Sequence, residues 1–335
     1  MNLSRFQTTL LFVGSVALLL AVAWAGIAMG SVRLPLREVA IALLHPSLIS
    51  SDQAVTIVRT LRLPRVLAAA LCGAGLAAAG VGAQALLRNP LADPYTMGVS
   101  SGAALFAVAG LLATFLIPAI SLPPLPVLAM TGAALTFAAI YVLVGAQSGG
   151  IYLLLAGVVV GSFCSAFIAL LELAAQRATQ ELLFWLMGGF STVSWQTLVW
   201  LAPLLVWGGG WLAYLSDEMD LLIQGEEAAH SAGVRVRSVQ WQLFGAVSLL
   251  VGAMVAASGM IGFVGLIVPH AARLIVGGSH RRLLPMAALW GATFLVLIDL
   301  VARSILPPAE LPVGAITAFL GAPFFLYLLR HRRVS

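Results

Sequence analysis

Apolar stretches at 7–29, 66–87, 98–118, 125–145, 151–173, 197–215, 241–258, 262–276, 283–303 and 312–330 occupy most of this chain. A bilayer span needs about 20 such residues. In hydrocarbon every backbone N–H and C=O must find a partner within the protein, which commits stretches of this length to helix. Only 9% of the 335 residues are charged, against about 25% in soluble domains. The chain therefore reads as an all-α polytopic membrane protein with about ten transmembrane helices, and residues 1–335 read as one domain. The stretch 262–276 is short for a span. The first stretch, apolar from Thr8 to Met29 after Arg5, exceeds the roughly 7–15 residues of a signal-peptide core. It is expected to remain as an uncleaved span.

The longest polar interruption is Ser216–Gln240, SDEMDLLIQGEEAAHSAGVRVRSVQ, which carries Asp217, Glu218, Asp220, Glu226 and Glu227. Ser216 or Asp217 is placed to cap a first short helix. Gly225 should break it, and Glu226–Ala232 should form a second one with its acids in the first turn, where they suit the helix dipole. Gly233 stands where a helix-stopping glycine belongs. Two signalled helices without a flexible linker predict a stubby, rigid protrusion that meets something in the aqueous phase.

An even number of spans puts both termini on one side. The tail Arg330-His331-Arg332-Arg333 marks that side as cytoplasmic, since loops there carry excess Lys and Arg. Arg88, Arg235, Arg237, Arg281 and Arg282 then fall inside, and Arg33, Arg37, Arg59, Arg62, Arg65, Arg177 and Arg303 fall outside. The outer arginines either snorkel at helix ends or form a positive surface for an acidic partner. On the outer side, a short helix is expected at Arg37–Leu44, stopped by Pro46. Another is expected at Gln180–Met187, ended by Gly188-Gly189. In the second span Gly75 and Ala79, Ala78 and Gly82, and Ala79 and Ala83 stand four apart, a spacing that lets helix backbones approach closely in lipid. That span should be surrounded by other helices. The turns RNPLADPYTMG at 88–98 and GAQSGG at 145–150 lie on the inner side.

The chemistry-bearing patterns are sparse. The chain has no Lys, so it cannot build a phosphate-binding loop of the G-x-x-x-x-G-K-[ST] kind. Any ATP that drives it must be bound by another polypeptide. Gly98–Gly102 matches G-x-S-x-G, so an intramembrane serine protease pairing Ser100 with His270 is the alternative function; the competing reading is small residues for helix packing. Glu227 and His230 have the i, i+3 spacing of carboxylate-bridged metal sites, but such sites use two copies. No metal site is therefore expected. Asp299 is an intramembrane carboxylate, a functional candidate by default, or an i, i+4 partner of Arg303. Cys72 and Cys164 sit in separate apolar runs and read as small core residues.

The strings RLPRVLAA at 62–69, GAQALLRNPLADP at 82–94, GVSSGA at 98–103, LLLAGVVVG at 153–161 and WLMGGF at 185–190 run in one family's order. GEEAAHSAGV at 225–234, GFVGLIVPHAARL at 262–274 and DLVAR with AELPVGAITAFLGAPFFLYLL over 299–329 continue it. The chain resembles the permease subunits of type II ABC importers, the group that takes up iron–siderophores, haem and cobalamin. The resemblance implies a non-catalytic permease of ten helices in the inner membrane, both termini cytoplasmic, working as a homodimer. It implies two ATP-binding cassette ATPase subunits that hold ATP and Mg, and a periplasmic or lipid-anchored solute-binding protein outside. Lipid surrounds it, and nucleic acid is not among its partners. Gly225, Glu226, Glu227, Ala228, Ala229, His230, Ser231, Ala232 and Gly233 match the family's coupling helix. Arg62, Arg65 and Arg303 match positions that meet the binding protein. Asn89, Pro90 and Leu91, with Gly149, Gly150 and Ile151, fall where the family narrows its path on the cytoplasmic side. The family often has a bulkier polar turn at the second of these places.

Overall fold

The structure, a computed structural model, describes residues 5–30, 32, 34–45, 52–117, 122–145, 149–175, 179–306 and 309–332. Among them every regular element is helical. The order is α1 (Arg5–Ala28), α2 (Leu36–Leu44), α3 (Asp52–Val55), α4 (Leu63–Leu86), α5 (Val99–Leu116), α6 (Leu125–Val144) and α7 (Gly150–Ala175). It continues through α8 (Thr179–Leu186), α9 (Trp195–Tyr214), α10 (Ser216–Ile223), α11 (Glu226–Ser231), α12 (Val236–Ser258), α13 (Val264–Val276), α14 (His280–Ser304) and α15 (Val313–Arg332). A π-helical stretch, Thr56–Arg62, joins α3 to α4 without a break.

The ten apolar stretches divide into two classes. Among the described residues eight helices are long and apolar enough to cross a membrane, while Val264–Val276 and Val313–Leu328 are shorter apolar helices. With 13 residues, α13 rises about 20 Å, well short of the ~30 Å hydrocarbon core. It starts part-way along the bundle: the Gly265 carbonyl lies against Gly80 of α4, and Phe263 lies against Gly321 of α15.

Cross-contacts fix the direction of the helices. Trp290 Nε1 of α14 donates to Ser15 Oγ of α1 at 2.9 Å, and Arg303 donates to the Gly26 carbonyl, so α1 and α14 run parallel. The His280 amide at the start of α14 donates to Asp220 at 2.9 Å, which puts both starts at the end that carries α10 and α11. α15 returns from the other end, where the Leu311 amide donates to Ala302 at 3.0 Å. The first and last helices thus begin and finish at the α10–α11 end.

The centre is α4, packed by α9, α12, α13 and α14. Every residue from Gly75 to Leu86 is buried, as the small residues spaced four apart predict. Those residues matter because backbones touch. A Cβ on Gly73 would sit 2.1 Å from the Gly291 carbonyl oxygen, and one on Gly80 would sit 1.9 Å from that of Gly265. No side chain fits there without parting the helices. Cys72 and Cys164 are buried free thiols. The short outer helices form as expected at α2 and α8; Pro46, the expected stop of α2, lies outside the described residues.

Candidate functional site: two charged ends and a cavity

The polar segment folds into a fixed protrusion. Only Leu215 separates α9 from α10. The expected cap at Ser216 or Asp217 is not used. Leu215 holds the cap position without a side-chain bond, and the buried Ser216 hydroxyl donates back to Leu212 at 3.5 Å. Gly225, at φ +121°, separates α10 from α11. α11 then ends on Gly233, at φ +85°, where the amides of Gly233 and Val234 donate to His230 and Ala229 at 2.9 and 3.0 Å. These two backward bonds close a helix on a left-handed residue. Ala229 is buried beneath the helix, while Glu227, Ala228, His230, Ser231, Ala232 and Gly233 face outward.

Three carboxylates tie this protrusion to the bundle. Asp220 accepts from the His280 amide at 2.9 Å and meets His280 Nδ1 at 2.5 Å, with Ser279 Oγ at 3.3 Å. Asp217 pairs with Arg281. Glu226 accepts from Gln240 Nε2 at 3.1 Å and from Arg88 at 3.3 Å, and Arg237 lies at 3.9 Å. Among the described residues no three His, Cys, Asp or Glu side chains gather as a metal site.

Beside the protrusion opens a cavity of 910 Å³, lined on one side by Arg88, Asn89, Leu91, Asp93, Tyr95 and Thr96. Gly150, Ile151, Leu154, Leu155 and Val158 of α7, with Phe263, Leu266 and Phe325, complete its wall. The two inner turns read from the sequence thus meet: Asn89, Leu91, Gly150 and Ile151 border one space. Pro90 and Gly149 belong to the same turns but not to the lining, and 146–148 lie outside the described residues. The first turn is braced internally. Asn89 Oδ1 accepts from the Leu91 amide at 3.0 Å, Asp93 accepts from the Tyr95 amide at 2.9 Å, and the Ile261 amide donates to Tyr95 Oη at 2.9 Å. Burial pushes the Asp93 carboxyl above the usual carboxylate range, while the Tyr95 and Phe263 amides pull the other way. The turn thus keeps a fixed non-helical shape along the edge of the cavity.

At the opposite end the arginines turn inward. Arg62 donates to the carbonyls of Ile27, Ala28 and Val32, satisfying carbonyls at and just beyond the last turn of α1. Arg65 forms a two-pronged bond to Asp299 at 2.8 and 2.9 Å and reaches Glu310 at 2.9 Å. Arg303 Nε lies 3.4 Å from Asp299. Arg62 and Arg303 are 5% and 4% exposed, so at these two positions the guanidinium is buried against the helices rather than spread on the surface. An unpaired charge is too costly to bury, and burial is tolerated here because carbonyls and carboxylates receive it. The expected i, i+4 pair of Asp299 with Arg303 forms, but Arg65 is the closer partner. The outer arginines that do face solvent are Arg37 and Arg59; Arg33 and Arg177 lie outside the described residues.

Residues 18–331 match the FecCD transport family. The chain belongs to that family. Curated members similar to it include the Uncharacterized ABC transporter permease protein YvrB of Bacillus subtilis (strain 168), 43% identical over 92% of this chain and 90% of the relative. The Cobalamin import system permease protein BtuC of Halobacterium salinarum is 43% identical over 84% and 76%. The Hemin transport system permease protein HmuU of Yersinia pestis is 41% identical over 82% and 83%. A solved structure described as an inward-facing conformation of a metal-chelate type ABC transporter superposes with TM-score 0.83 at 31% identity, over 96% of this chain and 98% of the other.

The fold is thus that of a type II ABC importer permease, and the chain is a FecCD-type permease. A protease site finds no support in it. The buried Ser100 hydroxyl donates to the Tyr95 carbonyl at 3.4 Å, and the His270 ring stands edge-on to Phe324 with centroids 6.3 Å apart. Two site features of this FecCD member escape a reading of the sequence: Glu310 as a partner of Arg65, and the Asp220–His280 bond. Each joins residues far apart in the chain, and no local spacing announces them.

Proposed function

We propose that this chain is the permease subunit of an inner-membrane ABC importer, multi-pass with both termini cytoplasmic. Two copies enclose the path of a metal chelate such as an iron–siderophore, haem or cobalamin. Two separate ATPase subunits bind ATP and Mg, and a solute-binding protein delivers the cargo from outside. One observation carries the reading: a rigid two-helix protrusion, tied by Asp220 and Glu226 to the bundle, stands next to a large cavity. Residues 225–233 are the coupling helix in this reading, and their outward face, from Glu227 to Gly233, is the ATPase contact.

The cavity supports the homodimer. Beside it α7 exposes Ile151, Tyr152, Leu155, Val158 and Val159, an apolar face that a second copy would cover, turning a side cavity into a central path. The turns at Asn89–Leu91 and Gly149–Ile151 are its cytoplasmic gate. The mostly apolar wall suits a chelate whose recognition rests with the binding protein.

At the outer end, Arg62 and Arg303 contribute to docking by fixing the ends of α1, α4 and α14. Arg65 contributes directly, because an acidic group on the binding protein can compete for it with the partly exposed Glu310. The relatives named for cobalamin and haemin support the cargo class.

The test is a mild-detergent pull-down of the chain from its native membranes, with partners identified by mass spectrometry. A P-loop ATPase and a binding protein are expected. Recovery of the chain without an ATPase overturns the proposal.

A further inference from the structure

Glu226 stands apart from the rest of α11. Its neighbours Glu227, Ala228, His230 and Ser231 face outward, while its carboxylate points back into the bundle. One oxygen takes Arg88 at 3.3 Å and Gln240 at 3.1 Å, and the other lies 3.9 Å from Arg237. Arg237 in turn donates to Gln240 at 3.0 Å. Four segments meet at this one group: α11, the end of α4, the start of α12 and, through Arg237, the turn at Gly149.

The contact with Gly149 is close. A Cβ there would sit 2.6 Å from the Arg237 guanidinium and 3.6 Å from Glu226 Oε1, and a Cβ on Gly150 would sit 2.8 Å from the Leu86 carbonyl oxygen. The second turn is therefore pressed against the charged cluster and against the end of α4 at once.

Arg88 holds a conformation that needs support. It closes α4 at φ +49°, with its own amide donating to Ala85 at 3.2 Å and that of Asn89 to Gln84 at 3.0 Å. This is the same helix stop that Gly233 provides for α11, and glycine is the residue that makes it without strain. An L-residue in the left-handed region is strained because its Cβ crowds the following carbonyl oxygen. What arginine adds at this position is a guanidinium on Glu226.

We propose that the Glu226 carboxylate is the strut that carries movement of α11 to both turns bordering the cavity, pulling the first through Arg88 and the second through Arg237 and Gly149. The proposal rests on the importer reading. A pair that is a third to nearly half exposed is weak enough to break and remake in each cycle, which suits a moving joint.

The experiment uses the complete transporter in proteoliposomes, with spin labels on both copies at Gln224→Cys, exposed beside α11 and outside its ATPase face, or at Thr96→Cys. Distances are compared without nucleotide and with ADP–vanadate. Both distances should respond in otherwise unsubstituted protein. With Glu226→Gln the Gln224 response should persist while the Thr96 response falls about threefold. Arg88→Gln should match it, and the pair of substitutions should do no worse. A full Thr96 response in Glu226→Gln overturns the strut and leaves the importer standing. Loss of both responses in Glu226→Gln also overturns it, since Glu226 would then act at the ATPase contact. A Gln224 label that ignores nucleotide in unsubstituted protein overturns the importer reading itself.

Discussion

Asp299 and Glu226 each gather two arginines, but in different surroundings: Asp299 is 1% exposed and Glu226 33%. Around Asp299, water is excluded and every charge depends on its neighbours. Removing one partner there leaves others buried and uncompensated, and that penalty exceeds any single bond. Around Glu226, water can replace each partner as it leaves. The first arrangement locks the ends of α1, α4 and α14 together. The second holds α11 to the two turns beside the cavity by contacts that cost little to exchange. The same residue types thus make a rivet at one end and a hinge pin at the other, and burial decides which.

The largest effect is expected at Asp299. Asp299→Ala should leave buried Arg303 without a carboxylate and Arg65 with Glu310 alone, and destabilise the protein by about 3–5 kcal/mol, read as a large drop in Tm or loss of folded protein in detergent. A Tm close to that of the parent would show that the buried cluster is not a lock. Asp220→Ala should cost less, about 1–3 kcal/mol, because it removes the acceptor of the His280 amide and ring from a carboxylate that is itself partly exposed. Thermal unfolding of the same preparation checks it, and an effect as large as that of Asp299→Ala would erase the distinction between the two ends. Glu310→Gln should cost only ~0–1 kcal/mol, since Arg65 keeps Asp299. Arg88→Gly should change stability least, by within about 0.5 kcal/mol, as relief of the left-handed backbone offsets the lost ion pair. A marked fall in Tm for Arg88→Gly would move Glu226 into the class of Asp299.

Much of this was legible in the sequence because membranes leave few choices. Spans follow from apolar length, and the burial of α4 follows from small residues four apart. The stops at Gly225 and Gly233 follow from backbone chemistry local to the chain. The turns at 88–91 and 149–151 could be paired only through the family resemblance, since their meeting at one cavity depends on how α4 and α7 pack. The partners of the outer arginines were not legible, for a specific reason. Charge alone predicts a solvent-facing side chain, and only tertiary structure shows that the carbonyls of Ile27 and Ala28 and the carboxylate of Asp299 are there to receive it. The cap at Ser216 failed because α9 runs almost directly into α10, so the hydroxyl finds Leu212 before it can reach the amides ahead.

The buried cluster at the Arg62 end also has an electrical consequence. A membrane potential does about 2.3 kcal/mol of work per 100 mV on each elementary charge that crosses it. Arg62, Arg65, Arg303 and Asp299 are bonded to one another or to the backbone of helices that pack as neighbours, so none crosses that field alone; with Glu310 they form one body whose three positive charges are largely offset by two negative ones. A conformational cycle that leaves the cluster intact and at its own depth draws no current from these residues, and its rate owes nothing to the voltage acting on them.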